Sequence, residues 1–290
     1  MSEHDEAGGG ASTHAHLRAR LGEDFAQRLL SGLAMGALAA LCTFLGATLF
    51  AVLVVVVAML LSWEWGRLVH GREGDMVIAV HAAAAGGAAV LAAFEKFGLG
   101  LLLLPIGAIL ATLLTLGRNS VLSALGVFYV GLPAVSLIWL RSDPQLGLVA
   151  VVFVIVVVVT TDIAGFLTGR LMGGPKLWSR ISPNKTWAGL IGALVAASIV
   201  AAMFRLVVPG GSAVWLAAIG AMLSLVAQVG DLAESAIKRR FGAKDASSLI
   251  PGHGGVMDRV DGLVAAASVV GLAAIVINVH SPAHALLLGS

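Results

Sequence analysis

The stretch LGLVAVVFVIVVVVTTDIAGFLT, residues 146–168, decides the fold class of this 290-residue chain. Its run of valines would suggest a buried β-strand in a soluble protein, where strands are usually about four to eight residues long. The apolar character continues in both directions, however, and reaches the roughly 20 residues that a helix needs to span a bilayer. We therefore predict a transmembrane helix here.

Eight further segments have a similar length and apolar character. The first two form one apolar stretch that is too long for a single span, and Gly46 is the predicted turn between them. We predict an all-α fold, a polytopic integral membrane protein with about nine transmembrane helices. Besides 146–168, the predicted spans are 29–46, 47–66, 76–94, 98–117, 120–140, 187–208, 213–237 and 260–279.

The composition excludes a soluble enzyme. Hydrophobic residues make up 59% of the chain and the mean hydropathy is +0.97. Only 12% of the residues are charged, compared with about 25% in soluble domains. The single cysteine, Cys42, excludes a disulfide framework and a cysteine-based zinc site. We expect no nucleic-acid partner for a chain of this kind.

Basic residues are distributed unevenly between the two ends of the predicted helices. Of the 18 Lys and Arg residues, only Lys96, Arg141 and Arg205 fall on one side, and the other 15 fall on the side of the N-terminus. Basic loops remain in the cytoplasm. We therefore predict a cytoplasmic N-terminus in a multi-pass protein of the inner (plasma) membrane, with its polar loops and active site facing the cytoplasm.

This topology divides the chain into three parts. They are a polar cytoplasmic tail (1–27), N-terminal transmembrane helices (28–145), and a catalytic transmembrane region with two cytoplasmic polar loops (146–290). No internal repeat or inverted pair of halves is visible, which disfavours a secondary transporter. A channel or transporter would also need polar residues on both sides of the bilayer midplane, whereas nearly all polar groups here lie on one side.

The longer polar loop, residues 230–261, reads GDLAESAIKRRFGAKDASSLIPGHGGVMDRVD. If the eighth span stays helical to Arg240, four polar residues share one helix face, because they are spaced at i, i+3, i+4 and i+7. Ionisable groups near the membrane boundary are costly and usually functional. The four polar residues on this helix face are Asp231, Glu234, Ser235 and Lys238.

Past the glycine-rich turn PGHGG (251–255), Asp258 and Asp261 are again three residues apart. Carboxylates from two helices beside a cluster of Lys and Arg indicate a hard divalent cation bound together with phosphates, and Mg²⁺ is typical of such sites. The glycine-rich turn offers backbone N–H groups to an anion. The alternative is a solvated loop without function, and for Lys244 or Asp245 taken singly the two interpretations are equally good.

The shorter polar segment, residues 160–189, reads TTDIAGFLTGRLMGGPKLWSRISPNKTWAG. Asp162 lies in an apolar helix, and it is either functional or bonded to a threonine or backbone group of a neighbouring helix. Ser182, Lys185 and Thr186 are candidate phosphate donors at the start of the seventh span.

Two other polar residues are less informative. Glu64, between two tryptophans, is predicted to lie at the membrane interface, where Trp63 and Trp65 would form part of an aromatic belt. His253 either contacts phosphate or caps the glycine-rich turn.

The loop from Ser235 to Asp261 is similar to the signature of the phosphatidate cytidylyltransferase (CDP-diacylglycerol synthase) family. The segments SPNKTW (182–187), DIAGFLTGR (162–170) and GDLAES (230–235) also resemble that family. The likeness covers about residues 155–265, whereas the first five spans match only in being hydrophobic. One departure is Ala188, where many members have Glu or Gln.

The resemblance implies that CTP and phosphatidate, taken from the bilayer, react to CDP-diacylglycerol and pyrophosphate with Mg²⁺. It implies that Asp231 and Asp258 are metal ligands, and that Asp261 and Asp162 are supporting acids, with Asp261 also a candidate ligand. A second metal ion and a homodimer remain open. Lys238, Arg239, Lys185 and Arg259 would neutralise phosphates, Ser182 and Thr186 would donate hydrogen bonds, and Ser235, Lys244 and His253 would complete the substrate site.

A CTP-dependent lipid kinase is the main alternative. Such a kinase would use the same nucleotide and metal as a cytidylyltransferase and would also lie in the membrane. It would, however, transfer the γ-phosphoryl group of CTP to a lipid hydroxyl. The identity of the products separates the two enzymes.

Overall fold

The computed structural model of the protein describes residues 31–71, 76–116, 119–250, 252 and 254–290. The predicted polar tail, 1–27, lies outside these residues. Within them the chain is almost entirely helical, so the predicted all-α membrane fold is confirmed. The helices are α1 (Ser31–Leu45), α2 (Ala47–His70), α3 (Met76–Ala93), α4 (Phe97–Leu114), α5 (Ser120–Arg141), α6 (Gly147–Met172), α7 (Trp187–Met203), α8 (Ala213–Arg240), α9 (Met257–Ile277) and α10 (Pro282–Leu288).

Eight helices, α2 to α9, are long and apolar enough to cross a membrane, and α1 is a shorter apolar helix. Three of the helix ends differ from the predicted spans. Helix α6 continues to Met172, α8 continues to Arg240, and α9 begins at Met257 rather than at residue 260. Hydropathy marks only the apolar part of a helix, so the polar turns at these ends were not included in the spans. Those turns carry Arg170, Lys238, Asp258 and Arg259, which line the cavity described below.

A short hairpin connects α6 to α7. Its strands, β1 (Lys176–Trp178) and β2 (Ser182–Thr186), are antiparallel, and Lys176 pairs with Thr186. The sequence indicates only a polar segment here, because strands this short show no clear alternation. Thr186 ends β2 and is also the N-cap of α7, so the hairpin leads directly into that helix.

Helix α9 lies between two groups of helices. In one group α2, α3, α4 and α5 pack against one another, and in the other α6 packs on α7 and α7 packs on α8. Helix α9 packs against α5 of the first group and α8 of the second. Fully buried Ala85, Ala88 and Ala89 let α3 approach its neighbours closely, as small residues do in membrane bundles.

Candidate functional site

A cavity of about 730 Å³ lies at the end of the bundle where α6 and α8 end and α7 and α9 begin. Its volume is within the range of roughly 300–1,000 Å³ that is usual for small-molecule sites. Residues from both predicted polar segments line it, so the fold brings the two segments together. The polar lining residues are Thr161, Asp162, Arg170, Lys176, Ser182, Asn184, Lys185, Thr186, Gln228, Asp231, Lys238, Asp245, Asp258, Arg259 and Asp261.

An ion pair between Lys185 and Asp231 joins β2 to α8 in the cavity wall. Lys185 Nζ is 2.5 Å from Asp231 Oδ2, and it also donates to the backbone oxygen of Gln228 at 3.3 Å. The Ser235 hydroxyl donates to Asp231 Oδ1 at 3.3 Å. The Lys185 and Asp231 side chains are 23% and 33% exposed, so both groups remain accessible from the cavity.

Thr186 caps the helix that starts beside the cavity. Its Oγ1 accepts the backbone N–H of Gly189 at 3.1 Å, which leaves the hydroxyl proton for another acceptor. Helix α6 approaches this helix start closely, because a Cβ atom at Gly189 would lie 2.7 Å from the backbone oxygen of Gly165. Glycine therefore lets the wall that carries Asp162 reach the start of α7.

Asp258 uses both carboxylate oxygens to join three parts of the site. Its Oδ1 accepts a bond from Lys238 Nζ at 2.5 Å. Its Oδ2 accepts the backbone N–H groups of Ala246 at 2.9 Å and Gly255 at 2.8 Å. The Asp258 side chain is only 5% exposed. This carboxylate therefore holds the polar loop against the first turn of α9.

Lys238 lies between two buried carboxylates. Its Nζ is 3.1 Å from Glu234 Oε1, one turn earlier on α8, and 2.5 Å from Asp258 Oδ1 on α9. The side chain of Glu234 is fully buried and that of Lys238 is 11% exposed. Buried charges are tolerated only when they are paired, so this cation stabilises two acids and joins α8 to α9.

Three further carboxylates of the cavity lining interact with one another. Asp162, Asp231 and Asp261 lie close enough to repel one another, and Lys185 attracts Asp162. Among the residues that the structure describes, no three His, Cys, Asp or Glu side chains converge tightly enough to hold a metal ion by themselves.

Three of the predicted site residues that the structure describes do not line the cavity. The Ser235 hydroxyl donates to Asp231, as described above, and does not line the cavity. Arg239 is exposed, and its Nη1 donates to the backbone oxygen of Ala243 at 3.2 Å. Lys244 is exposed on the loop, and His253 lies outside the described residues.

The cavity also contains polar residues that the sequence prediction missed. Arg170, Lys176, Asn184 and Gln228 line it, and they lie in or beside the two polar segments. Two of them are basic, and with these the lining has five basic and five acidic side chains. Its formal charge is therefore balanced before any ligand enters.

The predicted aromatic belt is wrong for Trp65, which is buried inside the bundle, and the α2 side chain beside it, Glu64, is fully buried as well. The two oxygens of this carboxylate have separate partners. Its Oε1 accepts the Ser247 hydroxyl at 2.6 Å and the backbone N–H of Val256 at 2.9 Å, and its Oε2 accepts that of Met257 at 2.6 Å. Helix N-termini have unpaired N–H groups that favour a negative charge. Periodicity could not reveal this contact, because 193 residues separate the partners.

The chain is similar to known proteins over most of its length. A model of the cytidylyltransferase family matches residues 26–277. A phosphatidate cytidylyltransferase of Brucella suis is 40% identical over 252 residues, which are 83% of this chain and 90% of that protein. Proteins of the same name from Staphylococcus saprophyticus and Bacillus subtilis are 41% and 39% identical over 155 and 141 residues, covering 52% and 47% of this chain and 58% and 51% of theirs. The chain belongs to the cytidylyltransferase family.

Proposed function

We propose that the protein is a phosphatidate cytidylyltransferase, which converts CTP and phosphatidate to CDP-diacylglycerol and pyrophosphate. The observation that supports this most strongly is the convergence of the two polar segments on one cavity, at the end of a membrane-spanning bundle. A lipid substrate in the bilayer and a nucleotide in water can meet only at such a boundary. The Brucella suis relative carries the same name.

The proposed reaction forms a bond between a phosphate oxygen of phosphatidate and the α-phosphorus of CTP. It breaks the bond from that phosphorus to the oxygen that bridges to the β-phosphorus, and pyrophosphate leaves with the bonding electron pair. The second pKa of a phosphate monoester is about 6, so the nucleophile is mostly a dianion at neutral pH and needs no strong general base. The main obstacle is the repulsion between two anions.

Basic side chains of the cavity would offset part of this repulsion. Lys185, Arg259, Arg170 and Lys176 line the cavity and can form charge-assisted hydrogen bonds to phosphate oxygens. Ser182, at the start of β2, would donate a neutral hydrogen bond. Lys238 is shared by two buried carboxylates, so its contribution is to hold Asp258 and the loop in place.

The residues present fit a magnesium ion as the cofactor. Because the five acids balance the five bases of the lining, the cavity alone has no excess positive charge for a triphosphate. Mg²⁺ is usually held by one or two carboxylates with phosphate oxygens and water, and it neutralises charge on the transferring group. Asp231 and Asp261 would hold it, with Asp231 exchanging its bond to Lys185 for the ion. Asp258 would join them only by giving up its bond to Lys238. A second metal ion stays a prediction.

The products test the proposed reaction. Purified protein in mixed micelles of detergent and phosphatidate is given Mg²⁺ and CTP labelled at either the α- or the γ-phosphate. We expect the α-label in the lipid fraction and the γ-label in pyrophosphate, both only when phosphatidate and a divalent cation are present. Transfer of the γ-label to lipid would instead identify a lipid kinase, and turnover unaffected by EDTA would contradict the metal requirement.

We also propose that the cavity faces the cytoplasm, as the distribution of basic residues predicts. In a Cys42→Ala background, Lys244→Cys places a thiol on the exposed loop beside the cavity, and Gln145→Cys places one at the opposite end of α6. We expect a membrane-impermeant thiol reagent to label Lys244→Cys in inside-out vesicles only and Gln145→Cys in intact spheroplasts. The reverse pattern would overturn the proposed orientation.

A further inference from the structure

Glu64 is a buried acid of the N-terminal helices that bonds directly to the loop and helix start on which the site is built. All three of its partners belong to the segment 247–257, and two of them are backbone N–H groups at the start of α9. Bonds to a charged acceptor are stronger than neutral ones. Glu64 itself does not line the cavity.

Neighbouring side chains fix the direction in which Glu64 points. The Trp65 indole N–H donates to the backbone oxygen of Leu122 at 3.0 Å, and its ring packs on that of Tyr129 with centroids 4.8 Å apart. These contacts hold α2 against α5 in one rotation about its axis. The carboxylate at position 64 is therefore presented to α9 by a rigid support.

The glycine-rich turn is shaped around this carboxylate. Gly254 has φ +83°, so its backbone conformation requires glycine. Gly255 does not have a positive φ, but a Cβ atom there would lie 2.5 Å from Glu64 Oε1. The second glycine is thus needed because Glu64 occupies the space that a side chain would take.

We propose that Glu64 is a positioning residue of the cytidylyltransferase site. It holds the first turn of α9 so that Asp258 reaches Lys238 and the loop, and so that Asp261, one turn later, faces the cavity. The N-terminal helices therefore take part in building the site. This inference rests on the proposed function, since its test measures that activity.

The test compares Glu64→Gln with the parent and with Glu95→Gln, which makes the same chemical change on an exposed turn after α3. The amide introduced by Glu64→Gln turns a donor toward one of the N–H groups, so we expect kcat to fall at least about tenfold, with both KM values changed less than about threefold. Glu64→Asp should recover part of the loss, because it restores the charge. Glu95→Gln should keep the parental kcat.

A double-mutant cycle separates positioning from general stability. Gly255→Ala should lower kcat by displacing Glu64, and its combination with Glu64→Gln should lose much less than the product of the two single losses, because both act on one contact. Loss of activity that merely follows the folded fraction, or a Glu64→Gln kcat within twofold of the parent, would overturn the proposal.

If Glu64→Gln does not fold, Ser247→Ala decides, since it removes one of the three bonds. A kcat lowered by about threefold would support the proposal, and an unchanged kcat would overturn it. The parent enzyme in the same assay distinguishes the two proposals. An inactive parent contradicts the proposed function. An active parent together with an unchanged kcat of Glu64→Gln contradicts only the positioning role.

Discussion

An Asp261→Asn variant is expected to lose at least about a hundredfold in kcat, equivalent to roughly 2.7 kcal/mol of transition-state stabilisation. The change keeps the size of the side chain but removes a negative charge from the cavity that Asp231 and Asp162 also line. An amide oxygen binds Mg²⁺ more weakly than a carboxylate does, because it carries no charge. Part of the lost activity should therefore return at high Mg²⁺, as steady-state kinetics over a series of Mg²⁺ concentrations would measure.

The matched comparison is Asp258→Asn, for which we expect a similar loss without recovery at high Mg²⁺. Both oxygens of Asp258 accept bonds from the chain, so the amide nitrogen must face a donor whichever way it turns. Near-parental turnover of Asp261→Asn at low Mg²⁺ would show that Asp261 is not a metal ligand. Recovery of Asp258→Asn at high Mg²⁺ would assign the ion to Asp258.

A Lys238→Met variant is expected to lose about 3–5 kcal/mol in free energy of unfolding, because two buried carboxylates lose the cation they share. Glu234 is fully buried and Asp258 is 5% exposed, so solvent screens both carboxylates poorly. From the sequence alone, a folded Lys238→Met enzyme with impaired turnover would be expected, whereas the structure indicates instability first. Unfolding by sodium dodecyl sulfate in mixed micelles gives the free energy difference.

Two further variants make this measurement specific. Arg240→Met removes an exposed cation from the same helix end, and we expect it to change the unfolding free energy by less than about 0.5 kcal/mol. Adding Glu234→Gln to Lys238→Met should restore part of the stability, because a buried carboxyl group that has lost its cation is replaced by a neutral amide. A Lys238→Met protein as stable as Arg240→Met would show that the buried pair contributes nothing to folding.

The helices were predictable because hydropathy and length determine them almost directly. The run around Val149 is a helix as predicted, although valine favours strands in soluble proteins. The polar turns at the ends of α6, α8 and α9 were not assigned to the spans, since an apolar-length criterion stops where charged residues begin. Lys238, Asp258 and Arg259 of these turns are nevertheless candidate site residues by their charge and spacing, whereas Arg170 of α6 is not among them.

Residues of the site could be predicted where they belong to a polar segment of the local sequence. A residue that reaches the site from a distant helix could not be predicted in this way. Asp231, Lys185 and Asp261 lie together in the cavity, and each belongs to a polar segment that interrupts apolar sequence. Glu64 gives no such signal, because a single acid between two tryptophans is also what an interfacial position looks like. Only the packing of α2 on α5 and α9 shows that it is buried against a helix start.

The place of α9 between the two groups of helices has a consequence for the order in which the protein is made. Residues emerge from the ribosome N-terminal end first, so α2 and α8 are in the membrane before α9 exists. Until then the backbone N–H group of Met257 cannot donate to Glu64, and Asp258 cannot pair with Lys238. Insertion of α9 satisfies both groups at once, so maturation of the site coincides with the last step of membrane assembly of these helices. A nascent chain stalled before residue 256 would lack the two backbone donors to Glu64 and the Asp258 partner of Lys238.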